Sequence, residues 1–365
     1  MSISDERVYW LAFSLCNGIG PKKFNLLLKT FKTAENAWRA SKTELTEIIG
    51  PSQTEKLINH IDSINLDKYL EQMESKRVWF LTLPDSEYPG LLRESYNPPF
   101  VLFGKGSREV LFQAKTIGIV GTRKITGYGR QVTELMTEGL SRAGFCIVSG
   151  LAMGVDAVAH ATALESKGKT IAVLGCGVDC CSPSENYNLY EKIIESGSIV
   201  VSEYPLGTAP TKGSFPSRNR IIAGLSQAVL VTEGAEDSGA LITASDSFKN
   251  NRPVFAVPGP ITSSLSKGPN ELLKIGGRLV TSSDDVLLEL GIRNSVLKLK
   301  NTDIKGDSAD EQMIIDLIRD EELSFDELLQ KTLFDSSKMN MTLSMMEMKD
   351  MVLITENGSY TLKNY

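Results

Sequence analysis

The chain has 365 residues, 41% of them apolar, and a formal net charge of -6. That is enough apolar material for a full core spread over two or three domains, and the charge excludes a generally basic nucleic-acid coat. No stretch approaches the roughly 18 uninterrupted apolar residues of a membrane span and the N-terminus lacks a signal-peptide pattern, so a cytoplasmic protein is expected, with no membrane partner. The five cysteines, at 16, 146, 176, 180 and 181, are an odd number in a large chain and read as reduced thiols. Charge is unevenly placed. Residues 301–365 carry 14 acidic and 6 basic side chains. Windows 110–133 and 204–232 contain no acid at all. The first holds Lys115, Arg123, Lys124 and Arg130, the second Lys212, Arg218 and Arg220. Such bunching makes a local positive field on a neutral body.

Residues 1–80 show apolar side chains at spacings of three and four, which predicts a small all-α domain. Two turns of the type Gly-Pro, at Gly20-Pro21 and Gly50-Pro51, punctuate it. Gly18-Ile19-Gly20 between two helices is similar to a helix-hairpin-helix turn that holds a DNA phosphate; a structural or docking domain is the alternative, because the segment is not basic. Residues 83–106 are rich in proline and glycine and lead through a short strand at 100–103 into the next domain, 81–290. There the run 116–174 reads as strand, loop, helix, strand, loop, helix, strand. Its strands at 116–120, 145–148 and 170–174 are almost wholly apolar, as in a parallel sheet buried on both faces. Further strands are expected at 198–202, 228–232, 254–257 and 278–280, with helices between them. The fold class is therefore α/β, a Rossmann-like doubly wound, mostly parallel sheet.

In such a sheet ligands lie outside the carboxyl ends of the strands. Those ends carry Gly121-Thr122-Arg123, Ser149-Gly150 and Gly175-Cys176-Gly177. Small residues that admit a close approach, beside an arginine, point to a phosphate held by loop amides, a helix N-terminus and a guanidinium. The stretch 211–225 adds Lys212 and Phe215 ahead of a helix that begins with proline and carries Arg218 and Arg220 in its first turns. Helix N-termini disfavour positive charge, and an anion docked there removes the conflict, with Phe215 offering a face for a base. The plain alternative is a surface loop whose phenylalanine joins the core. Ser238-Gly239 starts a further helix. Residues 291–309 read as a linker, and 310–365 as three helices and a hairpin about Asn357-Gly358, the pattern of a winged helix. Its third helix bears methionines 339, 341, 345, 346 and 348 and no arginine, which favours a protein partner over DNA.

Other chemistries find little support. The run 163–170 satisfies a relaxed phosphate-loop expression but ends a helix and enters a strand, the reverse of the required order. Gly127 and Gly129 begin a dinucleotide fingerprint that Val132 breaks. Asp156 and His160 stand one helical turn apart and read as a satisfied structural pair, and the cysteines lack zinc spacing. No cofactor, no metal and no catalytic group are expected.

The motifs GIVGTR (118–123), SGLAMGVD (149–156) with Ala159-His160, SEYP (202–205), FPSRNRIIAG (215–224), SGAL (238–241) and VPG (257–259) together resemble the DprA/Smf family of DNA-processing proteins, over essentially the whole chain. The resemblance implies a homodimeric protein of natural transformation that binds single-stranded DNA and loads RecA recombinase onto it, with a helical domain before the sheet and a winged helix after. It places the family's phosphate-binding arginine on Arg123, its lysine and stacking phenylalanine on Lys212 and Phe215, and its second arginine cluster on Arg218 and Arg220. The DNA-binding set is then Gly121, Thr122, Arg123, Lys124, Ser149, Gly150, Lys212, Phe215, Arg218, Asn219, Arg220, Ser238 and Gly239. Departures are Ser182-Pro183 where the family has Tyr-Pro, Thr162 for a glycine, and Pro269 within a Gly-x-Asn motif. The alternative from another class is a nucleotide phosphoribohydrolase of the lysine-decarboxylase-like family. Its P-G-G-x-G-T-x-x-E run would stand where this chain has EGAEDSGAL (233–241).

Overall fold

A computed structural model of the chain describes residues 6–112, 115–211, 213–292, 305–318, 322–349, 351–355 and 358–362. Lys212, residues 293–304 of the expected linker, and Asn357 of the expected hairpin turn lie outside the described residues. The chain forms two compact units, 1–283 and 284–365.

The first unit opens with helices α1 (Glu6–Ser14), α2 (Pro21–Phe31), α3 (Ala34–Trp38), α4 (Lys42–Ile49), α5 (Pro51–Ser63) and α6 (Leu66–Ser75). Local chemistry sets their bounds. Proline opens α2 and α5 at the two glycine turns, Thr33 caps α3, and Ser41 and Glu44 form a reciprocal capping box at α4. Their apolar faces do not close on themselves. Trp10, Phe13 and Phe24 share one buried cluster with Phe100, Val101 and Phe103, so the helices are sealed onto the edge of the sheet.

That edge corrects one expectation. Residues 78–80, assigned with the helices, belong to strand β1 (Val78–Thr82), which pairs antiparallel with β2 (Val101–Gly106) across the short helix α7 (Gly90–Arg93). The five residues VWFLT suit a strand buried on four of its positions, and the helical periodicity before them carries no signal for the change. Then follow β3 (Thr116–Val120), α8 (Gly127–Arg142), β4 (Cys146–Ser149), α9 (Val155–Glu165), β5 (Thr170–Leu174), α10 (Tyr187–Glu195), β6 (Ile199–Ser202), α11 (Ser214–Leu225), β7 (Ala228–Val231), α12 (Gly239–Lys249), β8 (Val254–Ala256), α13 (Lys267–Lys274) and β9 (Arg278–Leu279).

The nine strands run in the order β1-β2-β6-β5-β4-β3-β7-β8-β9. From β6 to β9 every neighbour is parallel, while β1 and β2 are antiparallel at one edge. Every residue of β3, β4, β5, β6, β7 and β8 is buried, which their Val, Ile and Ala runs require of a sheet covered on both faces. Ile171, Val173, Ile199 and Val201 share one buried cluster with residues of α11 and α12, and Ala172, Leu174 and Val200 share another with residues of α10. The chain lays β4, β5 and β6 to one side of β3 and then returns to set β7 on its other side. The strand order therefore reverses between β3 and β7, and loops leaving those two strands part to opposite faces.

The second unit takes in α14 (Ser283–Glu289) from its second residue and continues with α15 (Ala309–Ile318), β10 (Leu323–Ser324), α16 (Phe325–Thr332), α17 (Ser336–Met348), β11 (Val352–Ile354) and β12 (Ser359–Leu362). Its strands form an antiparallel sheet ordered β10-β12-β11. Ile314, Ile315, Leu328, Met339, Leu343 and Met346 make its core. Met341, Met345 and Met348, four and three residues apart on α17, face outward. Lys338 of α17 and Lys349, which caps its end, are engaged with α15 and the residues before it, Lys338 with Asp310 at 2.9 Å and Lys349 with Asp307 at 2.8 Å and Glu311 at 2.7 Å.

Candidate nucleic-acid interface

At the switch point a cavity of about 440 Å³ is lined by the loop after β3, the first turn of α11 and the start of α12. Of the residues expected at the site it gathers Gly121, Thr122, Arg123, Phe215, Arg218, Asn219, Ser238 and Gly239. Two helix N-termini open onto it. That of α11 has no side-chain cap, whereas Ser238 caps α12 by accepting from the Ala240 N–H at 3.3 Å. Both present partial positive charge to the cavity.

The loop after β3 is tied down on three sides. Thr122 N–H donates to the Glu233 carbonyl at 2.7 Å, the Thr122 carbonyl accepts from Val155 N–H at 3.1 Å, and its hydroxyl accepts from Lys124 N–H at 3.1 Å. With the backbone pinned, Arg123 is left exposed at the rim, and its guanidinium carbon stands 5.1 Å from the centre of the half-buried Phe215 ring. A cation is thus held against an aromatic face at the mouth of the cavity.

The glycines serve a different purpose from the one their pattern suggests. A Cβ on Gly121 would stand 2.5 Å from Val155 Cγ2 and 2.6 Å from the Glu233 carbonyl oxygen, and one on Gly150 would stand 2.4 Å from the Arg218 guanidinium. The close approach they permit is made by the protein itself. Ser149 is fully buried, its hydroxyl donating to the Ile119 carbonyl at 2.6 Å, and neither Ser149 nor Gly150 lines the cavity.

The reading of Arg218 and Arg220 as charges awaiting an anion is likewise corrected. Arg218 is 4% exposed and donates to the carbonyls of Gly150 and Val173, so it forms part of the cavity floor. Burial lowers its pKa, and the nearby Asp156 carboxylate opposes that shift. Arg220 pairs with Glu203, both side chains being mostly buried, and does not line the cavity. Their unfavourable place in the helix is balanced by acceptors from other parts of the sheet. Asn219 links the layers, accepting from Arg218 Nε at 3.2 Å and donating to the Gly239 carbonyl at 3.0 Å.

Asp156 and His160 are both satisfied, but by different partners. Asp156 accepts from Gly150 N–H at 3.1 Å and Ala152 N–H at 3.4 Å; burial raises its pKa against the pull of Arg218. His160 Nε2 accepts from Leu151 N–H at 3.3 Å, so Nδ1 carries the proton and donates to Thr170 Oγ1 at 2.6 Å. Together they shape the loop after β4. Sequence reasoning missed Glu233. It is 2% exposed, and its carboxylate accepts from Thr126 N–H at 2.9 Å and Thr126 Oγ1 at 2.7 Å, bracing the start of α8. A carboxylate at the end of a wholly apolar strand was the available signal. Among the described residues no group of three His, Cys, Asp or Glu side chains is placed to hold a metal ion, and no helix is long and apolar enough to cross a membrane.

Over residues 79–291 the sequence matches the family described as DNA recombination-mediator protein A. The chain belongs to that family. Its relatives include the Smf protein of Synechocystis, 42% identical over 293 residues, which are 79% of this chain and 73% of the relative. The DNA processing protein DprA of Bacillus subtilis is 38% identical over 272 residues, 74% of this chain and 91% of that one. Family structures agree with the fold. DprA from Streptococcus pneumoniae superposes with a TM-score of 0.68 at 35% identity, covering 79% of this chain and 99% of that one. DprA from Helicobacter pylori, whose single-stranded DNA binding mode has been described, superposes at 0.53 with 31% identity, covering 58% of this chain and 95% of the other.

Proposed function

We propose that this member of the family is a single-stranded DNA-binding recombination mediator that loads RecA onto incoming DNA in natural transformation. The observation that carries the reading is Arg123 poised over Phe215 at a cavity fed by two helix N-termini. Phosphates engage Arg123, Lys212 and the uncapped N-terminus of α11, and an unpaired base stacks on Phe215 in place of the intramolecular contact. Arg218, Asn219 and Asp156 hold the floor, while Lys124 extends the positive rim. The reading includes a homodimer working in the cytoplasm and no catalytic step. It divides the chain into helical (1–77), sheet (78–290) and, beyond a linker at 291–309, winged-helix (310–365) domains. The last of these is a partner module: its outward helix face is methionine, and its two lysines there are spent on acids of their own unit.

The phosphoribohydrolase alternative is disfavoured at two places. Leu241, half-buried against the core, stands where that enzyme's run carries its glutamate, and the carboxylate of Glu233 is committed to Thr126. The deciding experiment compares affinity for oligo-dT with that for blunt duplex of the same length, in wild type and Phe215→Ala. Single strands should be preferred, and the variant should lose on the order of 1–3 kcal/mol of single-strand affinity if one base stacks there. Equal binding of both forms by the wild type would refute the reading. The finer claim is checked by whether the protein allows RecA to displace a single-strand-binding protein from DNA.

A further inference from the structure

Beside the cavity lies a second groove of about 650 Å³, which shares Arg123 with it. Its floor is one face of α9, where Ala157, Val158, Ala161 and Leu164 follow at helical spacing; α10 contributes Leu189. The alanines keep this floor low between the neighbouring helices. Four cations stand around it, Arg123, Lys124, Arg130 and Lys192, against the carboxylates Glu165 and Glu185. Arg130 is drawn to Glu134 at 3.6 Å, but among the described residues Lys124 and Lys192 have no ion-pair partner. Two uncommitted ammonium groups over an aliphatic floor match the chemistry of a strand whose phosphates track charge while its bases lie on apolar surface. The volume is in the range that encloses a ligand of nucleotide size.

We propose that a single strand held at the switch-point cavity passes over Arg123 and continues into this groove, with phosphates at Lys124 and Lys192 and bases against Met153 and the α9 floor. Arg123 is then the crest between two subsites, one base stacking on Phe215 on one side and the next nucleotides lying over α9 on the other. This rests on the function proposed above and extends it to the length of DNA the protein covers.

The test is a ladder of oligo-dT from about 4 to 16 nucleotides, measured on wild type, Lys192→Gln and Ala161→Leu, the last filling the floor without touching charge. Oligonucleotides too short to leave the first cavity should bind all three proteins alike, which also shows that the variants are folded. On longer ones the wild type should gain affinity that both variants lack. For Lys192→Gln the deficit should be roughly five-fold at about 0.1 M salt, with a salt slope shallower by about 0.7, the single-strand coefficient for one phosphate contact. If both variants follow the wild type at every length, the groove is off the DNA path and its charge serves an acidic protein partner, which overturns the inference. If the wild type binds no oligonucleotide at any length, the proposed function itself fails, and this extension with it.

Discussion

Acidification should destabilise the protein through His160. Its imidazole is 0% exposed, and burial, seconded by the positive charge of Arg218, pushes its pKa down from 6.5 to about 3. In the unfolded chain the same group takes a proton near its ordinary value. Between those two values the unfolded state binds more protons than the folded one, so stability falls as pH falls through this window. Each unit below about 6.5 costs roughly 1.4 kcal/mol, or about 2 kcal/mol at pH 5. Asp156 and Glu203, whose pKa values burial raises, work in the opposite direction, so the wild-type profile alone does not isolate the histidine. Comparison with His160→Gln does. The variant should be less stable near neutrality, having lost the bond to Thr170, yet should lose about 2 kcal/mol less than wild type on going to pH 5 in urea unfolding. The chain has two histidines, so the imidazole resonance that vanishes in the variant is His160. Parallel stability profiles, or a His160 resonance titrating near 6.5, would refute the argument. Protonation at Nε2 would also strip Leu151 N–H of its acceptor, so loosening of the loop after β4 should accompany the loss.

Three further outcomes follow from the site and the units. Arg123→Ala should weaken binding to single strands of any sequence and flatten its salt dependence by about 0.7, and an unchanged slope in a folded variant would make the residue structural. Gly150→Ala should cost about 1–3 kcal/mol in thermal or denaturant unfolding, because the new methyl meets a guanidinium that two carbonyls hold in place. Truncation after Leu290 should preserve single-strand affinity, or raise it slightly at low salt where the repulsion of 14 acids against 6 bases in residues 301–365 is least screened; a large loss in a folded truncation would show that the second unit grips DNA.

The sheet was legible wherever burial leaves a local mark. Runs such as TIGIV and TIAVL can only be strands covered on both faces, and β3 through β8 fall within a residue or two of their expected bounds. What local pattern does not carry is which strands meet. Glycine and serine at the ends of β3, β4 and β5 suggested a ligand shared among those three loops, whereas the cavity forms where β3 meets β7, a pairing made by a strand more than a hundred residues later. The space beneath the loop after β4 is filled by Arg218, so its glycine marks an internal contact.

Charge shows the same limit more sharply. Counting acid-free windows gave two positive patches of similar promise, but a window counts charges without saying which are already spent. Arg130 meets Glu134, one residue past its window; Arg218 and Arg220 meet carbonyls of the loop and strand ends and Glu203, brought in by folding. Among the described residues, Arg123, Lys124 and Lys192 line the groove with no carboxylate partner, and Lys192 lay in neither window. A positive site on a chain of net -6 thus arises less from an excess of cations than from where the carboxylates are committed. Screening by salt acts on the uncommitted cations at the surface and hardly at all on the buried Arg218 and Arg220, so the salt slope of DNA binding should count only the former.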